Sequence, residues 1–233
     1  MGKKHSRRFQ KAAAMVDGDR LYDLGDAVKL LKGFPAVKFE ESVEIAVRLG
    51  IDPKKTDQLV RGSVALPKGT GKVVRIAVFA EGDKAKEAEE AGADFVGGKD
   101  LAEKIEGGFD DFDMTIAAPD MMKFVGKLGR VLGPSGKMPS PKAGTVTPNV
   151  GEAVREFKGG KIEFRTDSGA SVHAAVGRRS FSADDLAANI SAFVAHIRGL
   201  KPAQAKGNFI RRVCVSTSMG PGVQVALDAS KEG

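Results

Sequence analysis

Between Lys72 and Asp120, short apolar runs alternate with helical stretches, and few folds accommodate that alternation. KVVRIAVFA (72–80) is a continuous apolar run, the pattern of a strand covered on both faces. DKAKEAEEAG (83–92) follows as a helix opened by Asp83 and closed by Gly92. ADFVG (93–97) and FDMTIAAPD (112–120) read as two further strands, with DLAEKIEGG (100–108) as a helix between them and MMKFVGKLGRVL (121–132) as a third helix. Strands separated by helices form a parallel sheet, so this segment is expected to be a Rossmann-like βαβ layer.

The flanking segments follow a different rule. In ESVEIAVRLGI (41–51), Val43, Ile45, Val47 and Leu49 alternate with Glu44 and Arg48, the mark of a half-buried strand. KIEFRTDSGASVHAAVG (161–177) alternates likewise and turns at TDSG, and NFIRRVCVSTSMGPGVQV (208–225) is a strand that breaks at MGPG. Two helices accompany them, DAVKLLKG (26–33) and FSADDLAANISAFVAHIRGLKP (181–202). The second is capped by Ser182, carries a Leu186, Ile190, Phe193 and Ile197 stripe, and stops at Gly199 and Pro202. This predicts an α+β domain with an antiparallel sheet.

Glycine-rich borders separate the two patterns, PKGTGK (67–72) and FKGGK (157–161). Charge changes at the same borders. Residues 71–160 hold 13 Lys/Arg and 15 Asp/Glu, against 14 and 9 before them and 10 and 6 after. The expected organisation is therefore a discontinuous domain from residues 1–68 and 160–233, interrupted by an inserted domain at 69–159. The whole chain is a two-domain α/β protein of net charge +7, which favours a polyanionic partner gripped by the chain ends.

Enzyme chemistry finds no foothold. After RIAVFA comes EGDKAKE, with one glycine and an acid where a dinucleotide site needs G-x-G-x-x-G, and no Gly-Lys pair has the upstream glycine of a phosphate-binding loop. His5, His173 and His196 are scattered, and His196 reads as a structural residue. DDFD (110–113) lacks calcium-loop spacing. The single cysteine, Cys214, forms no internal disulfide and reads as a core residue in a reducing cytoplasm. No apolar run is long enough to span a bilayer, and the basic N-terminal arm lacks the apolar region of a secretory signal and reads as a solvated tail. No cofactor or metal and no membrane partner is expected. A nucleotide-binding enzyme using the Rossmann-like insert is the alternative function, and a basic scaffold without RNA specificity is a third reading.

One stretch has the opposite character to the acidic insert around it. GKLGRVLGPSGKMPSPKAGTVTPNV (126–150) is rich in glycine, proline and basic residues and contains no acid. It resembles the signature segment of the ribosomal protein L1 family. KFEESVEIAVRLGIDPKKTDQLVRGSVALPKGTGK (38–72), KIEFRTDSGASVHAAVGRRSF (161–181) and VCVSTSMGPGVQV (213–225) resemble other motifs of that family in the same order, so the resemblance covers nearly the whole chain. The signature departs from the family's common residues at Ser135, Lys137 and Ser140.

The resemblance implies two domains joined by two hinge strands. It implies a protein of the large-subunit stalk beside the ribosomal E site, monomeric outside the ribosome. Its implied partners are large-subunit rRNA, departing deacylated E-site tRNA and the leader of its own mRNA, whose translation it would repress. It also implies that the discontinuous domain makes the primary rRNA contact. The matching positions are Lys38, Phe39, Glu41 and Ser42, the turn Ser216, Thr217, Ser218, Met219 and Gly220, and the hairpin residues Asp167 and Ser168. Short hydroxyls and backbone N–H groups suit the 2′-hydroxyls and phosphates by which folded RNA is read, and Phe39 and Met219 offer apolar surface to a base or ribose. Arg7, Arg8, Lys38 and Arg165 would supply the salt-sensitive phosphate contacts. The loop at 128–146 reads equally as a stiff connector or as a secondary RNA contact.

Overall fold

The computed structural model describes residues 5–205 and 207–226. The chain forms two compact units, one from Met1–Gly71 with Phe164–Gly233 and the other from Lys72–Glu163. In chain order, the first pass through the terminal unit contributes α1 (Arg7–Ala13), α2 (Leu24–Gly33), β1 (Ser42–Leu49) and β2 (Arg61–Ala65). The inserted unit then builds β3 (Ile76–Phe79), α3 (Asp83–Glu90), β4 (Phe95–Gly97), α4 (Lys99–Glu106), β5 (Met114–Ala117), α5 (Met122–Val125), α6 (Gly129–Leu132) and α7 (Val150–Lys158). The chain returns through β6 (Lys161–Arg165), which pairs with β2, and finishes with β7 (Ser171–Arg178), α8 (Ala183–Gly199), β8 (Ile210–Thr217) and β9 (Val223–Val225).

The terminal unit centres on an antiparallel sheet of order β7-β1-β8-β9. Alternation along β1 buries Val43, Ile45, Val47 and Leu49, and Val213 and Val215 of β8 and Val172 of β7 join them. Helices α2 and α8 pack on the sheet and add Ala27, Val28, Leu31, Leu186, Ile190, Phe193 and Ile197 to that core. Helix α8 starts where the sequence places it: Ser182 Oγ accepts the Asp185 N–H at 3.0 Å. The opposite face of the sheet stays exposed or half-buried. It carries Ser42, Glu44, Ala46 and Arg48 of β1, Arg212, Cys214 and Ser216 of β8, His173 and Ala175 of β7, and Gln224 of β9.

In the inserted unit, β4-β3-β5 form a parallel sheet. All four residues of β3 are buried, as expected of the central strand of a covered sheet. Three details differ from the sequence reading. The strand expected from Lys72 begins at Ile76: Asp113 Oδ2 takes the Arg75 N–H at 3.0 Å in place of a ladder bond, and its Oδ1 accepts the Lys72 side chain at 2.7 Å. The helix expected at 121–132 is two α-turns, α5 and α6, interrupted at Gly126–Leu128 by a tighter 3₁₀ turn. The stretch FKGGK is not a turn throughout: Phe157 is buried in the last turn of α7, and the chain reverses only at Gly159 and Gly160, where φ is 103° at Gly160.

The signature loop is a packed connector. Thr145 Oγ1 accepts the Ser140 N–H at 2.8 Å, Ala117 donates to Thr145 O at 2.9 Å, and Leu128, Leu132 and Ala143 are buried. Lys127, Arg130 and Lys142 of this segment, and Lys123 of α5 just before it, are exposed.

Candidate nucleic-acid interface

The candidate residues of the chain ends meet because of strand register. Val43 stands opposite Thr217 and Glu44 opposite Ser216, so the segment entering β1 lies beside the turn leaving β8. Ser218 donates its N–H to Ser42 O at 3.1 Å, and Ser42 returns its N–H to Ser218 Oγ at 3.1 Å. Arg178, opposite Ser42 on the other neighbouring strand, donates to Ser42 Oγ at 3.3 Å.

Beneath this corner lies a carboxylate. Glu41 is 1% exposed; its Oε2 accepts Arg179 Nη1 at 2.8 Å and its Oε1 accepts the Met219 N–H at 3.1 Å. Arg179 also donates to Lys32 O at 3.0 Å and to Phe34 O. Arg8 donates to Met219 O at 2.7 Å, so Met219 is held at both its backbone polar groups. Gly220 closes the turn: a Cβ there would stand 2.5 Å from Thr217 Oγ1 and 2.9 Å from Phe34 Cδ2. Among the described residues, Arg8 Nη1 and Thr217 Oγ1 are buried side-chain polar atoms without a hydrogen-bond partner, and both belong to this turn or its clamp.

Fixed backbone below leaves apolar side chains above. Phe39 and Met219 are 55% and 50% exposed, Lys38 and Ser218 are exposed, and Ser42, Ser216 and Gly220 are half-buried. Glu41 and Thr217, at 1% and 2%, are spent inside the fold, so their part is to hold the turn rather than to present a side chain.

Asp167 and Ser168 are not brought to this corner. Arg48 faces Ser171 at the other end of β1, so six residues, about 20 Å at 3.4 Å each, separate the hairpin from Ser42. Asp167 is engaged locally: its carboxylate accepts the N–H groups of Gly169 and Ser171, each at 2.8 Å, and lies 3.2 Å from His173 Nε2. The Ser171 N–H first, then His173 and the Gly169 N–H, hold the Asp167 carboxyl below the usual carboxylate range.

Sequence reasoning missed Arg178 and Arg179 at this corner, and it named Arg8 without its structural role. The basic arm is not a free tail over its described part: Ser6 caps α1 by accepting the Phe9 N–H at 3.2 Å, and Ala12 is fully buried. The adjacent Arg178–Arg179 pair at the end of an alternating strand was the available signal. Cys214 is half-buried rather than core, and burial pushes its thiol pKa up.

In the inserted unit, the Glu81 side chain after β3 packs against the Gly98 backbone, which sets a carboxylate near the position a dinucleotide phosphate would take. Among the described residues, no group of three or more His, Cys, Asp or Glu is arranged to hold a metal ion, and no helix is long and apolar enough to cross a membrane.

The profile of the Ribosomal protein L1p/L10e family matches residues 31–221. The chain belongs to that family. A relative named large ribosomal subunit protein uL1, from Corynebacterium glutamicum (strain R), is 51% identical over 228 residues, covering 98% of this chain and 97% of the relative. A protein of the same name from Nitrosomonas eutropha is 54% identical over 222 residues, covering 95% and 96%. This L1-family chain is a ribosomal protein and not an enzyme. The matched span includes every residue of the Phe39–Met219 corner except Arg8.

Proposed function

We propose that this L1-family protein is a constituent of the large ribosomal subunit and binds large-subunit rRNA with the corner formed by residues 38–42 and 216–220. The observation that carries the reading is the pair of exposed side chains, Phe39 and Met219, over a turn locked by Glu41, Arg179 and Arg8. Folding has already ordered the backbone there, so association orders little more and contact energy appears as affinity. Phe39 stacks on or against a base or ribose, Met219 packs beside it, and the Ser42, Ser216 and Ser218 hydroxyls meet 2′-hydroxyls and phosphates. Lys38, Arg7 and Arg165, exposed on the same unit, add the salt-sensitive attraction.

The finer role follows from the same surface. The protein stands at the mobile stalk beside the E site and assists movement and release of deacylated tRNA. The exposed cations Lys123, Lys127, Arg130 and Lys142 of the inserted unit provide the secondary RNA contact. Repression of its own mRNA uses the rRNA corner a second time: a leader that mimics the rRNA segment occupies it when free rRNA is scarce.

The experiment is Met219→Ala, which removes a central contact and should weaken rRNA binding by about 1–3 kcal/mol. The leader RNA should lose the same factor and should compete with rRNA for a single site. Unchanged rRNA affinity, or simultaneous binding of both RNAs, overturns this reading.

A further inference from the structure

The far end of the open sheet face holds a charge arrangement that folding alone does not explain. Between Arg48 and Leu49 the register with β8 shifts: Leu49 pairs with Ile210 and Arg48 with Arg212, which leaves Arg211 as an extra residue in a β-bulge. A bulge breaks the two-residue alternation and re-aims a side chain. Here it exposes two consecutive arginines, Arg211 and Arg212, with exposed Arg48 directly across from the second. Like charges directly opposite on adjacent strands are destabilising. Among the described residues none of the three has an ion-pair partner. The neighbouring acid, Asp167, is committed to Gly169, Ser171 and His173. Gly50 lets β8 approach closely beside the bulge: a Cβ there would stand 2.3 Å from Asn208 O and 3.2 Å from Arg211 Nε.

We infer that Arg48, Arg211 and Arg212 form a second phosphate-binding point for the RNA gripped at the Phe39–Met219 corner, an inference that rests on the proposed function. Guanidinium groups bind phosphate oxygens through paired N–H donors, and a phosphate among the three turns mutual repulsion into shared attraction. Arg48 lies six residues along β1 from Ser42, about 20 Å, so one rigid RNA element lying along the open face reaches both points. The corner supplies the specific contacts. The arginine cluster supplies sequence-independent affinity and fixes the direction in which the RNA leaves the protein.

The test uses the full chain, the fragment of large-subunit rRNA that it protects from ribonuclease, and the same fragment trimmed stepwise from either end. The double variant Arg48→Gln with Arg212→Gln is compared with Met219→Ala by equilibrium binding across salt. Removing two phosphate contacts should lower the slope of log affinity against log salt by about 2, close to 0.9 per contact, so that the penalty is roughly ten-fold larger at about 50 mM than at about 200 mM salt. Trimming one RNA end should abolish the difference between variant and wild type while Met219→Ala still weakens binding. Thermal unfolding of the double variant should match or exceed wild type, because a repulsive cross-strand pair is gone. An unchanged slope and affinity on the untrimmed RNA, with Met219→Ala still impaired, overturns the inference and leaves the functional reading standing. Full affinity in both variants overturns both.

Discussion

Glu41→Gln isolates the device that shapes the corner proposed to bind RNA. The substitution keeps the size of the side chain and one oxygen able to accept the Met219 N–H, and turns an uncharged NH2 donor toward Arg179 in place of the carboxylate oxygen that accepts from it. The Glu41 side chain has no exposure and that of Arg179 18%, so the pair is largely sequestered from solvent. Leaving one member of such a pair without its counter-charge costs about 3–5 kcal/mol. Arg179 keeps two backbone carbonyl partners, Lys32 O and Phe34 O, and some contact with water, which sets the expectation at the lower end, about 3 kcal/mol. The assay follows from composition. The chain has no tryptophan and one tyrosine, and Tyr22 is buried in the terminal unit, so its fluorescence in a urea titration reports that unit alone. RNA affinity should fall about ten-fold as Met219 loses its fixed position, which is about 1.4 kcal/mol. Replacing both partners, Glu41→Gln with Arg179→Met, should recover most of the stability and little of the RNA binding. A loss below about 0.5 kcal/mol in the single variant, the range of ordinary surface substitutions, would refute the claim that this ion pair holds the turn.

Two further outcomes test the frame around the corner. Asn189 is fully buried, donates to Val176 O at 2.7 Å and Gly69 O at 2.9 Å, and accepts the Lys68 N–H at 3.0 Å; Asn189→Ala should cost about 3 kcal/mol by the same Tyr22 signal. The Asp167 carboxyl titrates below its unfolded value near 3.9, so its contribution to stability is complete above that pH and is lost as the pH falls through the folded value. Wild type should therefore lose more stability than Asp167→Asn between about pH 5 and pH 2, and parallel stability curves would contradict the hydrogen-bonded hairpin.

Much of this fold is written in period and punctuation. Alternation in β1, the Ser182 cap and the stripe of α8 all depend on nearest-neighbour geometry, so residue order reveals them. What stayed hidden depends on long-range pairing. Asp113 sets the start of a strand thirty-odd residues upstream by taking the Arg75 N–H. Glu41 looks like any acid at the start of a strand, and only the return of Arg179 and Met219 from the far end of the chain makes it a buried anchor. Helix α7 carries Val150, Ala153, Val154 and Phe157 at helical spacing, a period legible in residue order but only about two turns long before Gly159 and Gly160 end it. The bulge at Arg211 is invisible in principle from one strand, because a bulge is a property of two.

Charge shows most directly why one unit carries the proposed RNA surface. The inserted unit has 14 Lys/Arg and 16 Asp/Glu, the terminal unit 23 and 14, but the totals understate the contrast. In the inserted unit Lys72, Arg75, Lys84, Lys86, Lys99, Lys137, Lys158 and Lys161 each sit on a carboxylate of the same unit. In the terminal unit Arg7, Lys38, Arg48, Arg165, Arg211 and Arg212 are exposed and, among the described residues, have no ion-pair partner. A cation already paired gains less from a phosphate, because it must first give up its carboxylate, whereas an unpaired one exchanges only water and counterions. The terminal unit therefore offers a polyanion more than its net charge suggests. In the inserted unit Lys104, Lys123, Lys127, Arg130, Lys142 and Arg155 are exposed and, among the described residues, have no ion-pair partner, and four of the six stand on the stretch without an acid between Asp120 and Glu152, which makes that stretch the best placed for any secondary contact.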